Sequence, residues 1–279
     1  MTATKTILVT GAVGFIGTNL VEALLQRGDH VIALDAMDNY YDPALKATNL
    51  ESLRGSVHAE RLTFVQGDVR NEALIERLLR DHRFDAVAHL AALAGVRASL
   101  DEPTRYVDVN VNGTLVMLEA ARHVEPSPNL VLASTSSVYG TSGQVPFVET
   151  DVADRPLAPY PASKRAAELM GHSYHHVYGL DFTALRLFTA YGPRNRPDMM
   201  AFRLLDSIFK GHRRPAVRRR RAAARLDLRG RHSRRHRDRP RPALGIRDHQ
   251  SRSRRAPEAV RLRRAHQGAY RRGSPDQQR

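Results

Sequence analysis

Residues Gly11–Gly17 read GAVGFIG, set between the apolar run ILVT (Ile7–Thr10) and the helical pattern NLVEALLQRG (Asn19–Gly28). A strand that turns through glycines into a helix presents free backbone N–H groups to a phosphate, and the helix dipole adds positive potential there. The stretch therefore reads as a pyrophosphate cradle. Its spacing is GxxGxxG rather than GxGxxG, so context carries the weight: a second strand, HVIALD, ends in Asp35, eighteen residues past Gly17. An acid at that strand tip suits the two hydroxyls of an adenine ribose and repels a 2′-phosphate. NAD, rather than NADP, is the expected cofactor.

Outward from this point the chain alternates. From Lys5 to about Phe188, strand-like KTILVT, HVIALD, RLTFVQGD, DAVAHLAA, NLVLAST and DFTALRLF are separated by helical patterns. These helices run from Phe15, near Ala44 to Leu53, from Glu72 to Arg80, from Thr104 to about Val124 and from about Pro159. Near-continuous apolar strands with helical crossovers predict a parallel sheet covered on both faces, whose ligands lie beyond the strand carboxyl ends. Gly11, Asp35, Asp68, Ala91, Ala92 and Thr135 all fall at such ends.

The chain has no cysteine, which excludes disulfides and thiolate zinc sites. MTATKTILVT leads straight into a strand, without a basic segment and apolar leader, and no apolar run reaches membrane-spanning length, so a soluble cytoplasmic protein is expected. His89, in the fourth strand, lacks an ordered set of Asp, Glu or His around it and reads as a buried strand histidine rather than a metal ligand. His172, His175 and His176 sit where the dipole of a helix C-terminus favours them.

Tyr160-Pro-Ala-Ser-Lys164 opens the helix that continues RAAELMGHSYHHVYG. Residues i and i+4 share a helix face, so the Lys164 ammonium can lie near the Tyr160 phenol. A neighbouring positive charge favours phenolate and moves the tyrosine toward general-base use. The hydroxyl cluster Ser134–Ser137 precedes it.

Together GAVGFIG, HLAALAG, ASTSSVYG, YPASK and LRLFTAYGPR resemble the extended short-chain dehydrogenases/reductases, specifically the NAD-dependent nucleotide-sugar epimerase/dehydratase family. The resemblance covers about residues 5–210. It implies a Rossmann-type doubly wound α/β fold. It also implies catalytic roles for Thr135, Tyr160 as base and Lys164. Cofactor contacts are implied at Gly11, Gly14, Phe15, Ile16, Gly17, Asp35, Asp68, Val69, Leu90, Ala91, Ala92, Asn110, Tyr160 and Lys164. Substrate contacts are implied at Ser136, Ser137, Thr189, Arg194 and Arg196.

The implied chemistry is 4-epimerisation: Tyr160 takes the proton of a sugar 4-hydroxyl, the C4 hydride leaves and returns to the other face, and no net redox change results. Dehydratases of the family carry an Asp-Glu pair after the catalytic threonine, and uronate decarboxylases a glutamate in the same loop. Ser136 and Ser137 stand here instead. DNYYDPALKATNLESL (Asp38–Leu53) and GPRNRPDMMAF (Gly192–Phe202) are similar to segments of UDP-glucuronate 4-epimerases. The resemblance thus implies UDP-glucuronate as the preferred substrate and UDP-glucose as the next. Arg194 and Arg196 are candidates for the uronate carboxylate or the diphosphate, with a solvated basic loop as the competing reading. The resemblance also implies a homodimer through the Tyr160 helix.

The net charge of +15 is unevenly placed: residues 1–210 carry a net of −4, and residues 211–279 carry 24 Arg, no Lys and a net of +19. The expected organisation is an NAD-binding domain over 1–190, the start of a substrate part over 191–210, and a disordered Arg-rich tail over 211–279. The tail could be a nucleic-acid arm on a non-catalytic NAD-binding protein, but selection for positive charge has no reason to exclude lysine, and non-specific binding is all such a tail implies. A one-nucleotide frame change accounts for it better. With suitable synonymous codons the same one-base step turns Asp227–His232 into TYVDDI, Gly245–Ser251 into GYEIINL and Ala265–Tyr270 into LIKALI, the first two resembling C-terminal segments of these epimerases. Sequencing both strands of the gene around codon 212 should reveal a shifted frame; an uninterrupted frame with no homology in the alternative one would defeat this origin.

Overall fold

The apolar runs become strands and the amphipathic runs become helices in the computed structural model, which describes residues 3–210 and 259–261. The expectations for the rest of 211–279 lie outside the described residues. Residues 3–194 and 259–261 belong to one compact unit and 195–210 to another.

In chain order the first unit holds β1 (Thr6–Thr10), α1 (Phe15–Arg27), β2 (His30–Asp35), α2 (Pro43–Arg54), β3 (Leu62–Gln66), α3 (Glu72–Asp81) and β4 (Ala86–His89). It continues with α4 (Pro103–Val107), α5 (Gly113–Arg122), β5 (Asn129–Thr135), α6 (Pro159–Tyr178) and β6 (Phe182–Leu187). The second unit contributes α7 (Met200–Phe209), and β7 (Ala259–Arg261) returns to the first. The sheet order is β3-β2-β1-β4-β5-β6-β7, with β1 to β6 parallel and β7 antiparallel to β6. Strand order reverses between β1 and β4, the crevice where such sheets bind ligands.

Alternation along the strands divides the core into two layers. Leu8, Ile32, Leu34, Val87, Leu130 and Leu132 face α3, α5 and α6, whereas Ile7, Val9, Val31 and Ala33 face α1 and α2. The helix starts follow local chemistry: Asp42 caps α2 by accepting from the Ala44 N–H, with Pro43 in the first turn, and Asn71 caps α3 from the Leu74 N–H.

Two sequence expectations are corrected. The run DAVAHLAA leaves the sheet at His89, because the Ala91 N–H turns to the Thr10 hydroxyl instead of a neighbouring strand. The single helix expected over Thr104–Val124 is interrupted by a π-helical turn, Asp108–Asn112. There the Asn110 side chain turns inward to the Leu93 backbone, and the Asn110 backbone carbonyl accepts from the Thr114 hydroxyl. Such wide turns recur at functional sites. Of the three helix-end histidines, His175 uses Nδ1 on the Leu180 carbonyl at 2.7 Å, and the other two are exposed.

α6 sits hard against β6: a Cβ on Gly171 would stand 2.1 Å from the Phe182 ring. Alanine there would gain about 1 kcal/mol of helix propensity, but overpacking costs about 1–3 kcal/mol, and contact this short falls at the upper end. Urea unfolding of Gly171→Ala should therefore show a net loss of roughly 1–2 kcal/mol.

Candidate active site

The predicted cradle has the geometry its glycines demand. Gly11 adopts φ +66°, and a Cβ there would lie 2.8 Å from the Ala91 nitrogen, so the turns after β1 and β4 touch backbone to backbone. A Cβ on Gly17 would lie 2.1 Å from the Gly11 carbonyl oxygen, which makes this glycine the condition for α1 packing under the loop. No side chain caps the start of α1 and no acid occupies its first turn, so the positive helix end keeps its potential for an anion.

Asp35 closes β2. Its carboxylate accepts from the Met37 N–H at 2.9 Å and the Val13 N–H at 3.3 Å, and pairs with Lys46 at 3.3 Å. Lys46 was not among the sequence candidates. It lies on the buried face of α2 with Leu50 and Leu53, and a lysine at that helical spacing among leucines was the signal. Asp68, two residues beyond β3, bonds Arg70, which reaches on to Asp108; the Arg70 hydrogen bond holds the Asp68 carboxyl below its ordinary range. Val69 is buried beside Gly113, where a Cβ would meet its side chain at 2.8 Å. Phe15, Leu90, Ala91 and Ala92 are part-buried around the crevice, and Ile16 is exposed.

Thr135 ends β5 and is buried; its Oγ1 accepts from the Ser137 N–H at 3.2 Å, which caps the short turn carrying Ser136 and Ser137. Because α6 runs back to the start of parallel strand β6, its N-terminus lies at the carboxyl edge of the sheet. That places Tyr160 on the same edge as Gly11 and Thr135. The Tyr160 ring meets Tyr106 edge-on, with centroids 6.1 Å apart. Its carbonyl accepts from the Ser163 hydroxyl at 2.8 Å, and Ser163 accepts from Asn110 Nδ2 at 2.9 Å. Asn110, expected as a cofactor contact, here braces α6 and the Leu93 loop.

Lys164, one turn after Tyr160, is 1% exposed. Its Nζ has no hydrogen-bond partner among the described residues. Burial pulls its pKa down to about 8, with the charge of Glu168 holding it against a further fall. Burial would raise the Glu168 carboxyl, but hydrogen bonds from Arg186 and Ser134 outweigh it and keep Glu168 below the usual range. Glu168 pairs with Arg186 at 2.9 Å and Arg165 at 2.8 Å, and accepts from the Ser134 hydroxyl. Neither Glu168 nor Arg186 was singled out from sequence. Arg186 occupies the inward position of β6 that follows Phe182 and Ala184 in the alternation, and that charge in an apolar register was the readable sign.

The remaining candidates scatter. Thr189 is exposed just past β6. Arg194 gives its guanidinium to Glu22 on α1 at 2.8 Å and Ser52 on α2 at 3.2 Å. Arg196 lies in the second unit and pairs with Asp198. No group of three or more His, Cys, Asp or Glu among the described residues is arranged to hold a metal ion, and no described helix is long and apolar enough to cross a membrane.

The buried lysine makes stability depend on pH. Its folded pKa is about 8 against 10.5 for the free side chain, so the cost of burying the charge is full below pH 8 and is relieved as pH rises toward 10.5. A tenfold change in proton affinity corresponds to about 1.4 kcal/mol. Lys164→Met should therefore be more stable than the native chain by roughly 1–3 kcal/mol at pH 7, the gap closing by about pH 10.5, as read from urea unfolding across pH.

The family profile described as GDP-mannose 4,6 dehydratase matches residues 8–214. UDP-glucuronate 4-epimerase 4 of Arabidopsis thaliana is 45% identical over 206 residues, 74% of this chain and 46% of that protein. UDP-glucuronate 4-epimerase of Thermodesulfobacterium geofontis is 45% identical over 204 residues, 73% of this chain and 61% of its own length. The UDP-glucuronic acid 4-epimerase of Bacillus cereus, solved in complex with UDP-glucuronic acid and NAD, superposes with a TM-score of 0.66 at 38% identity, covering 74% of this chain and 63% of that one. The chain thus spans about half to three fifths of the curated relatives it matches. By the extent of the match and the shared Rossmann architecture, this chain belongs to the GDP-mannose 4,6 dehydratase family of NAD-dependent epimerases and dehydratases.

Proposed function

We propose that this protein is built on a nucleotide-sugar 4-epimerase that uses NAD, with UDP-glucuronate preferred and UDP-glucose next, and that the 279-residue chain carries the cofactor and catalytic half. The observation that carries the reading is Lys164: a buried amine without a partner among the described residues, one helical turn from Tyr160, at the sheet edge that also holds Thr135. A dinucleotide ribose would supply the missing acceptors. The glycine cradle, where a Cβ at Gly11 or Gly17 would strike backbone, fits the diphosphate.

In this reading the α1 N-terminus holds the diphosphate, Asp35 the adenine ribose and Lys164 the nicotinamide ribose. NAD, when bound, would supply the acceptor that takes the C4 hydride and gives it back. The chain's own residues handle the proton. Tyr160 takes it from the C4 hydroxyl, and the Lys164 ammonium favours the phenolate that does so. Thr135 accepts from the Ser137 N–H, which leaves its hydroxyl proton to donate to the reacting sugar oxygen. Expelling water from C6 would need an acid after the threonine; Ser136 and Ser137 stand there, which favours epimerisation over the dehydration for which the family is named.

Recognition of a uronate carboxylate by Arg194 requires it to exchange its bonds with Glu22 and Ser52, and Arg196 its pairing with Asp198. A homodimer through α6 is supported by the exposed Leu169, Val177 and Tyr178 on that helix. Loss of the substrate half by a frame change is supported by two observations. The family match ends at residue 214, and α7 leaves Met200, Leu204, Leu205, Ile208 and Phe209 exposed. Purified 279-residue protein should bind NAD⁺ yet turn over neither UDP-glucuronate nor UDP-glucose. A frame-restored version should epimerise UDP-glucuronate faster, and Tyr160→Phe in it should lose turnover by at least a thousandfold while retaining NAD⁺. Turnover by the 279-residue protein would overturn the truncation reading, and no turnover by the restored one the epimerase reading.

A further inference from the structure

β4 ends on a histidine that no solvent reaches. His89 is fully buried, and both ring nitrogens are partnered: Nδ1 lies 2.9 Å from the Thr10 hydroxyl and Nε2 lies 3.2 Å from the Thr114 hydroxyl. Neighbouring groups set the direction of each bond. The single proton of Thr114 Oγ1 is given to the Asn110 carbonyl at 2.6 Å, so toward the ring this oxygen accepts, and His89 carries its hydrogen on Nε2. Nδ1 then accepts from the Thr10 hydroxyl, whose oxygen in turn accepts from the Ala91 N–H at 3.1 Å. Burial and the nearby Lys164 charge push the imidazole down to about 3, so the ring is neutral.

The bonds join into one line. Ala91 N–H donates to Thr10, Thr10 to His89, His89 to Thr114, and Thr114 to the Asn110 carbonyl. Thr114 bonds the backbone carbonyl of Asn110; from the same residue the side-chain Nδ2 donates to Ser163, and Ser163 to the Tyr160 carbonyl. Thr10, His89, Thr114, Asn110 and Ser163 are all buried. One end is the turn that touches Gly11 in the cradle, and the other is the helix turn bearing the proposed base. A neutral Nε2–H imidazole accepts on one side and donates on the other, which this position requires; an apolar residue would strand the Thr10 hydroxyl proton and the Thr114 lone pair.

We propose that His89 is a positioning residue that fixes the first turn of α6, and with it Tyr160, relative to the dinucleotide cradle through the Thr10–His89–Thr114–Asn110–Ser163 line. It acts through these groups and touches neither cofactor nor sugar. The cofactor part of this inference rests on the NAD reading above.

The native 279-residue chain, labelled with ¹⁵N-histidine and with His89 assigned by its loss in His89→Leu, should give an Nε2–H tautomer at pH 7. An Nδ1–H ring or an imidazolium would overturn the bond directions. Hydrogen exchange read by mass spectrometry should quicken at least tenfold in His89→Leu for peptides holding Ala91 and Ala162–Lys164, and stay at the native rate in α2 and β3. Uniform acceleration, or none, would overturn the positioning role. NAD⁺ should bind His89→Leu and Thr10→Val about tenfold more weakly, and the double variant no more weakly than the worse single one; additive losses would overturn the shared line. Should His89→Leu fail to fold, Thr114→Val, which keeps the ring, should give the same localised exchange pattern. A native chain that binds no NAD⁺ would sink the cofactor reading alone, since tautomer and exchange decide the role of His89 without it.

Discussion

A buried ammonium is the constraint around which this protein is arranged. An amine removed from water is costly unless something compensates it, and Lys164 has no hydrogen-bond partner among the described residues. The compensation comes from one helical turn further on, where Glu168 is kept ionised by Arg186, Arg165 and Ser134. The fold thus holds in place a charge whose complement, in the proposed reading, is the cofactor. On that reading stability is given up for function at this point, as is common where a site is shaped before its ligand arrives.

The ionic group behind the lysine also explains why α6 and β6 sit as they do. Arg186 points inward from a strand otherwise alternating apolar residues, reaches Glu168 with two of its nitrogens, and bonds the Asp151 carbonyl with a third. Buried pairs of this kind add little net stability but penalise any arrangement that breaks them. Gly171 against the Phe182 ring sets the approach distance, and the ion pair sets the register of the helix along the strand.

The family is named for a dehydration, whereas the reaction proposed here for this chain is an epimerisation on the same scaffold. In the proposed reading the Rossmann sheet, the cradle and the Tyr-Lys turn serve either reaction, and the loop after β5 would select the fate of the sugar once C4 is oxidised. On that reading, the choice of reaction resides in the side chains of one short turn and not in the fold that carries it.

Much of this was legible in the amino-acid order. GAVGFIG, Asp35 and YPASK marked the residues proposed as cradle, ribose acid and base with its lysine, because each reading depends on spacing within one strand, turn or helix. The alternating strands and helices fixed the doubly wound class for the same local reason. The pairing of Lys46 with Asp35, the packing of Glu168 and Arg186 behind Lys164, and the line through His89 depended on tertiary structure. So did the π turn that broke the helix expected over Thr104–Val124, since it exists to let Asn110 reach Leu93 and Ser163. Local patterns record what a residue does within its own element. A buried polar contact joins residues far apart in the chain, and only the closed sheet brings their donors and acceptors within bonding distance.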